Sequence, residues 1–291
     1  MIYQFKKTRV LAGFIVIATV ISICILSARR SFQQIIPDLR YSTEHPGIPL
    51  IIHQSWKDPT PPDTEEIRSW KELNPKHRYM YWTDRDMDEF IRSNHSSIHN
   101  FYASLPLIMK SDFFRYLIVL KYGGIWSDID TKCLKPFDHW MSLVQLPPGR
   151  SINCIIGVEL DASTVTIDWF SVKLQFTQWT FAATPGHPLL QHVANTILYK
   201  HFATDIKGGP HLITGPTIWT EAIVDYFARQ GFTDTHSLRG LNEPVLVGDV
   251  LVLPVTGFSP DNLDLKGKGP DHRLSLVQHM FRGSWKQRKY D

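Results

Sequence analysis

The stretch from residue 105 to residue 130 constrains the fold more than any other part of this sequence. Residues 105–121 are apolar almost throughout, too long a run for a strand and long enough for a buried helix. Gly123-Gly124 ends that helix, since glycine alone adopts the left-handed backbone of a helix stop without steric cost. Residues 125–130 then read as a short strand that closes on Asp128-Ile129-Asp130. A buried helix feeding a short strand is a unit of a layered α/β sheet.

The flanking pattern agrees. Residues 48–53 form an apolar run bounded by prolines, which predicts a buried strand. Asp63 with Glu66 can cap a helix reaching about Leu73, residues 78–82 alternate as a strand, and Thr83 can cap the next helix. Residues 152–158 and 250–254 are β-rich, and residues 187–202 and 216–228 carry helical patterning. The tail, with Gly267, Gly269 and Gly283, reads as loop. Alternating strands and helices predict an α/β fold with a mostly parallel sheet and helices on both faces.

The chemistry concentrates at the end of the 125–130 strand. Residues i and i+2 of a strand share a face, so Asp128 and Asp130 are expected to project together. Two neighbouring carboxylates repel unless a cation sits beside them. A divalent ion shared between carboxylates and phosphate oxygens is the usual arrangement. Such an ion stabilises charge on a departing diphosphate. In open α/β sheets, ligands gather at the carboxyl ends of the strands. One helix earlier, Asp112 and Arg115 stand at i and i+3 in an otherwise apolar segment and share a face. They read equally as an internal ion pair or as a pair aimed at ligand hydroxyls. Cys133 and Cys154 allow either one disulfide or two buried thiols.

The N-terminus carries an address. Residues 10–28 are uncharged, and a helix of that length spans about 28 Å, close to a hydrocarbon core. Lys6, Lys7 and Arg9 precede it, and Arg29 and Arg30 follow. The chain has a net charge of +3, yet residues 1–30 hold five of its 31 basic residues and no acid. The remaining 26 basic and 28 acidic residues leave the rest at −2, which argues against a nucleic-acid surface. The expected organisation is a cytosolic tail (1–9), a transmembrane signal anchor (10–28), a stem (29–47) and a lumenal catalytic domain (48–291). A cleaved signal peptide is the competing reading. Asn94-His95-Ser96 is an acceptor sequon, as a lumenal domain would carry.

Several motifs, in order, resemble glycosyltransferase family 32 of fungi. They are Ile48-Pro49-Leu50-Ile51-Ile52-His53-Gln54-Ser55-Trp56, Lys110-Ser111-Asp112-Phe113-Phe114-Arg115-Tyr116 and the Gly123-Gly124 to Asp130 block. Gly209-Pro210-His211-Leu212-Ile213-Thr214-Gly215-Pro216, Asp249-Val250-Leu251-Val252-Leu253-Pro254 and Gln278-His279-Met280-Phe281-Arg282-Gly283-Ser284-Trp285 resemble its initiation-specific α-1,6-mannosyltransferase branch. The resemblance covers residues 48–286.

The resemblance implies a GT-A, Rossmann-like fold, a GDP-mannose donor, Mn²⁺ and retention of anomeric configuration. Carried onto this chain, it implies that Trp56 stacks the nucleotide base, although a core tryptophan reads as well from sequence. It implies that Asp112 and Arg115 hold the donor's ribose and sugar, that Asp128 contacts ribose and metal, and that Asp130 and His279 ligate the metal. Ser284 and Trp285 would close over the donor phosphates. Glu159 and Asp161 lie where the family carries acidic residues near the acceptor; a solvated strand end explains them too. The expected partners are a nucleotide-sugar donor, a glycan acceptor (N-linked, high-mannose), the Golgi membrane through a single type II anchor, and other mannosyltransferases in a complex. The alternatives are a different sugar, a sphingolipid acceptor, or an inactive anchored subunit. No second apolar span follows residue 30, which favours a glycan over a sphingolipid acceptor.

Overall fold

A computed structural model describes residues 47–161, 174–203 and 208–282. The expected anchor, residues 29–46 of the expected stem, Ser284 and Trp285 lie outside the described residues. Among those described, no helix is long and apolar enough to cross a membrane.

The strands are β1 (Ile51–Ser55), β2 (Arg78–Trp82), β3 (Gly124–Ser127), β4 (Thr131–Cys133), β5 (Cys154–Asp161), β6 (Leu174–Phe176), β7 (Thr180–Ala183), β8 (Val245–Val247), β9 (Val250–Leu253) and β10 (Val277–His279). The principal helices are α1 (Glu65–Leu73), α2 (Asp84–Asn94), α3 (His99–Ser104), α4 (Leu107–Tyr122), α5 (Phe137–Met141), α6 (Pro188–Ala203), α7 (Pro210–Ile213), α8 (Pro216–Arg229) and α9 (Val255–Phe258).

The main sheet runs β2-β1-β3-β7-β5-β9-β8, with β6 added on β5. β1 is parallel to β2 and β3, and β5 to β9, whereas β7 lies antiparallel between β3 and β5. Five strands of that path therefore point one way, and β7 and β8 point the other. The sheet is mixed but mostly co-directional, as the alternating pattern predicted. The reversal at β7 was not legible: Thr180-Phe181-Ala182-Ala183 is short and weakly β-patterned.

Strand alternation sorts the core into two layers. Ile52, Ile125, Ile155, Ala182, Leu251 and Leu253 face Trp70 of α1, Phe137 and Trp140 of α5, and Phe258 of α9. On the other side, Trp126 meets Phe114 of α4, and Phe181 meets Tyr116 of α4 and Trp219 of α8. Both faces are covered, so α4 is buried along most of its length. Each of the large rings contributes roughly 1.5–3 kcal/mol of burial.

Two joints fix the strand ends. α2 begins with a reciprocal box in which Thr83 caps the Asp86 N–H and Asp86 caps the Thr83 N–H. For α1 the cap is Thr64 rather than Asp63, which instead pairs with Arg68. At the end of α4, Gly123 has φ 65° and Gly124 φ 97°. A Cβ on Gly124 would stand 2.5 Å from the Ile51 carbonyl oxygen. The glycines thus stop the helix and let β3 lie directly against β1.

Candidate active site

β3 ends at Ser127, one residue before Asp128. The two aspartates converge through a tight turn and not through strand alternation, which corrects the expectation for residues 125–130. The Thr131 N–H donates to the Asp128 carbonyl at 3.1 Å. Hydroxyls lock the turn from below: Ser127 Oγ lies 2.7 Å from Thr131 Oγ1 and 2.6 Å from Thr180 Oγ1. The Asp128 N–H donates to the Trp179 carbonyl at 2.8 Å, and the Gln54 amide donates to the Asp128 carbonyl at 3.1 Å. These contacts satisfy main-chain groups of Asp128 and Thr131 without drawing on either carboxylate.

β4 leaves the turn and pairs antiparallel with β10, register Thr131↔His279. This ribbon, formed by a tail expected to be loop, delivers His279 to the aspartates. His279 Nε2 lies 3.4 Å from Asp130 Oδ1. Asp128, Asp130 and His279 each offer a ligand atom, all within 4.8 Å of one another.

Behind this triad sits a buried polar network. Arg115 of α4 lies 3.1 Å from Asp112 and 3.3 Å from Asp128, and its guanidinium donates to the Gln178 carbonyl at 3.1 Å. Asp112 also accepts from the Gln178 amide and the Thr214 hydroxyl, both at 3.1 Å. The Trp126 indole donates to Asp128 at 2.9 Å. The Asp112–Arg115 pair is therefore an internal ion pair and also part of the site's floor. Arg115 Nε is buried and has no hydrogen-bond partner among the described residues.

The electrostatics are lopsided. Three carboxylates face one guanidinium. Burial raises the Asp128 carboxyl above its ordinary range, with Arg115 and His279 pulling the other way. Burial does the same to Asp112, again against Arg115. Burial lowers the His279 pKa despite the neighbouring aspartates. Two hard carboxylate oxygens and one imidazole suit Mn²⁺ or a similar divalent ion. The residues present fit such an ion, and its charge would offset the surplus of carboxylates.

Trp56 directly follows β1, at the same carboxyl end of the sheet as Asp128. It is half-buried, with its indole donating to Asp58 at 2.9 Å, so the core reading does not hold. Glu159 and Asp161 are not a solvated strand end either. Glu159 accepts from the Gln175 amide at 3.0 Å, and burial pushes its carboxyl up to about 7. Asp161, 2% exposed, pairs with Lys266 at 3.3 Å and Arg239 at 3.8 Å. Cys133 and Cys154 are both free and buried, which settles that alternative. Asn94 ends α2 with its amide donating to the Phe90 carbonyl at 2.9 Å.

Sequence reasoning missed Gln178 and Trp179, which sit in the turn before β7. The signal was Thr177-Gln178-Trp179-Thr180, a polar–aromatic cluster with no repeat or spacing to mark it. It also missed Phe281 and Arg282, whose backbone lies against the triad.

A mixed α/β sheet with an acidic, cation-ready turn at its carboxyl end is the framework of a nucleotide-sugar enzyme, and comparison with known proteins makes the class definite. A family described as "Glycosyltransferase sugar-binding region containing DXD motif" matches residues 62–145, which include Asp128-Ile129-Asp130. The chain is a glycosyltransferase. An initiation-specific alpha-1,6-mannosyltransferase of Schizosaccharomyces pombe is 38% identical over 273 residues, covering 87% of this chain and 68% of that protein. Its counterpart in Candida albicans is 30% identical over 294 residues, covering 87% and 76%. An inositol phosphoceramide mannosyltransferase 3 of S. pombe is 38% identical over 121 residues, only 39% of this chain and 34% of that protein. The chain belongs to glycosyltransferase family 32, in the fungal initiation-specific α-1,6-mannosyltransferase family.

Proposed function

We propose that this enzyme transfers mannose from GDP-mannose to an N-linked high-mannose glycan, forming an α-1,6 linkage with retention, on a GT-A fold. The observation that carries the reading is the convergence of Asp128, Asp130 and His279 within 4.8 Å, backed by Arg115. Asp128, Asp130 and His279 would hold Mn²⁺. When bound, that ion supplies positive charge to a departing diphosphate. Arg115, kept charged by Asp128 and Asp112 although burial opposes it, adds a fixed cation on the same side. Asp112 orients the guanidinium and, with it, contacts donor hydroxyls. Trp56 stacks the base, and Ser284 and Trp285 close over the phosphates. The sugar passes through an oxocarbenium-like state, as in glycoside hydrolysis.

A glycan acceptor is favoured over a sphingolipid because the likeness to the two α-1,6-mannosyltransferases spans 87% of the chain, against 39% and 60% for two inositol phosphoceramide mannosyltransferases of S. pombe. The address read from residues 1–47 supports a single-pass type II protein of the Golgi, able to work in a complex with other mannosyltransferases. The test is to give the full-length, detergent-solubilised enzyme a panel of sugar nucleotides and a high-mannose glycan, with and without Mn²⁺. The expected result is Mn²⁺-dependent consumption of GDP-mannose and an α-1,6-linked product. Use of another sugar nucleotide, or transfer indifferent to metal, would overturn the reading.

A further inference from the structure

His279 is occupied from behind. The backbone N–H of Phe281 donates to His279 Nδ1 at 3.0 Å. A backbone N–H can only donate, so Nδ1 presents its lone pair and the proton of the neutral ring resides on Nε2. That ring has no lone pair left for a cation. A ring bound to metal through Nε2 must carry its proton on Nδ1, where it would meet the Phe281 N–H head-on. A ring bound through Nδ1 needs the lone pair that the same N–H already occupies. Whichever nitrogen ligates, the Phe281 hydrogen bond must break first.

The same short segment covers Asp130. The Arg282 N–H donates to Asp130 Oδ2 at 3.1 Å, and the Met280 N–H donates to the Asp130 carbonyl at 2.9 Å. The Arg282 side chain reaches across to buried Glu66. Phe281 meanwhile has φ 45°, a backbone conformation that a residue with a side chain rarely adopts. Its ring, 61% exposed as a residue, lies 4.1 Å from the His279 ring. The same local hydrogen bond stands behind His187 and His272, but neither involves a left-handed residue. Strain stored beside ligand atoms is typical of an element with two states.

We propose that residues 280–282 form a strap whose Phe281 N–H competes with the divalent cation for His279, so that metal loading and strap release are one event. Phe281 is thus a positioning residue that acts through His279. The proposal rests on the reading that Asp128, Asp130 and His279 hold the cation.

The test is Mn²⁺ affinity, read on the full-length protein from the loss of free Mn²⁺ signal in electron paramagnetic resonance. Glycine adopts positive φ freely and favours the strapped form, so F281G is expected to weaken Mn²⁺ binding about fivefold. Proline has no N–H and fixes φ near −65°, so F281P cannot form the strap and is expected to bind several-fold tighter. F281A keeps the Cβ and removes the ring; it is expected to stay within about twofold of wild type. H279A separates the two readings. If H279A lowers affinity while F281G does not, the strap is refuted and the cation site stands. If H279A changes nothing, the cation site falls and the strap with it. F281G decides the matter alone if F281P does not fold.

Discussion

Two acidic sites, one buried and one partly exposed, stand at the carboxyl ends of strands that run the same way, and they are balanced oppositely. At the end of β5, Asp161 is met by Lys266, by Arg239 and by the N–H of Gly240. The protein supplies more positive charge there than the single carboxylate needs. Just past β3, Asp128 and Asp112 share Arg115, while Asp130 is met by His279 and by the backbone N–H of Arg282. A carboxylate held by its own cations is finished as a structural element. A cluster left short of positive charge is incomplete until something binds. Charge balance thus separates two sites whose residue types look alike in sequence.

The largest expected effect follows from the incomplete site. Changing both Asp128 and Asp130 to alanine is expected to lower kcat/KM at least 10³-fold, about 4 kcal/mol. The same double change is expected to lower the metal-free melting temperature only slightly, because relief of carboxylate repulsion offsets the lost contacts of Asp128 to Arg115 and the Trp126 indole. Mn²⁺ at a hundred times its Kd is expected to stabilise wild type by about 2.7 kcal/mol and the double variant not at all. Transfer assays and thermal melts with and without Mn²⁺ read both halves. A variant that loses stability as steeply as activity would mean that the aspartates are structural.

The balanced site predicts the reverse pattern. D161A is expected to cost about 1–3 kcal/mol of stability, since it leaves part-buried Arg239 and the Gly240 N–H without the carboxylate that now meets them. The folded fraction is expected to keep kcat/KM within a few-fold of wild type. Denaturant melts and active-site titration would measure it. A large loss of kcat in fully folded D161A would erase the contrast between the two sites.

How much of this contrast was legible in the sequence follows from the range of the interactions involved. Asp128, Asp130, Asp112 and Arg115 were found because local spacing fixes them to one strand end and one helix face. Gly123-Gly124 was found because a helix stop is a local event. The antiparallel β7 was not, since its place between β3 and β5 is decided by pairing across long separations. The partners of Asp161 lie 78 and 105 residues away along the chain, so nothing near Asp161 distinguishes it from a solvated strand end. His279 came only through the family resemblance. Its register opposite Thr131 is a property of the β4–β10 ribbon, and the 277–279 run is too short to announce a strand.

Glu159 sharpens the comparison, because it shows a third way to bury a carboxylate. It stands on β5 two residues before Asp161, with the Gln175 amide as its hydrogen-bond donor and no ion pair among the described residues. Lacking a cation, it holds its proton well above the ordinary carboxylate range: burial pushes the pKa up to about 7. The folded pKa lies above the unfolded one, so the folded state binds the extra proton, and stability declines as pH rises from about 4.5 to about 7. A shift of that size corresponds to roughly 3 kcal/mol across the window. E159Q mimics the protonated form and is expected to flatten that decline, matching wild type at pH 4.5 and exceeding it at pH 8. Denaturant melts of the two proteins at both pH values would measure the difference. Equal stability at pH 8 would mean that the Glu159 carboxylate finds a compensating charge after all, and that it belongs with Asp161 instead of standing between the two sites.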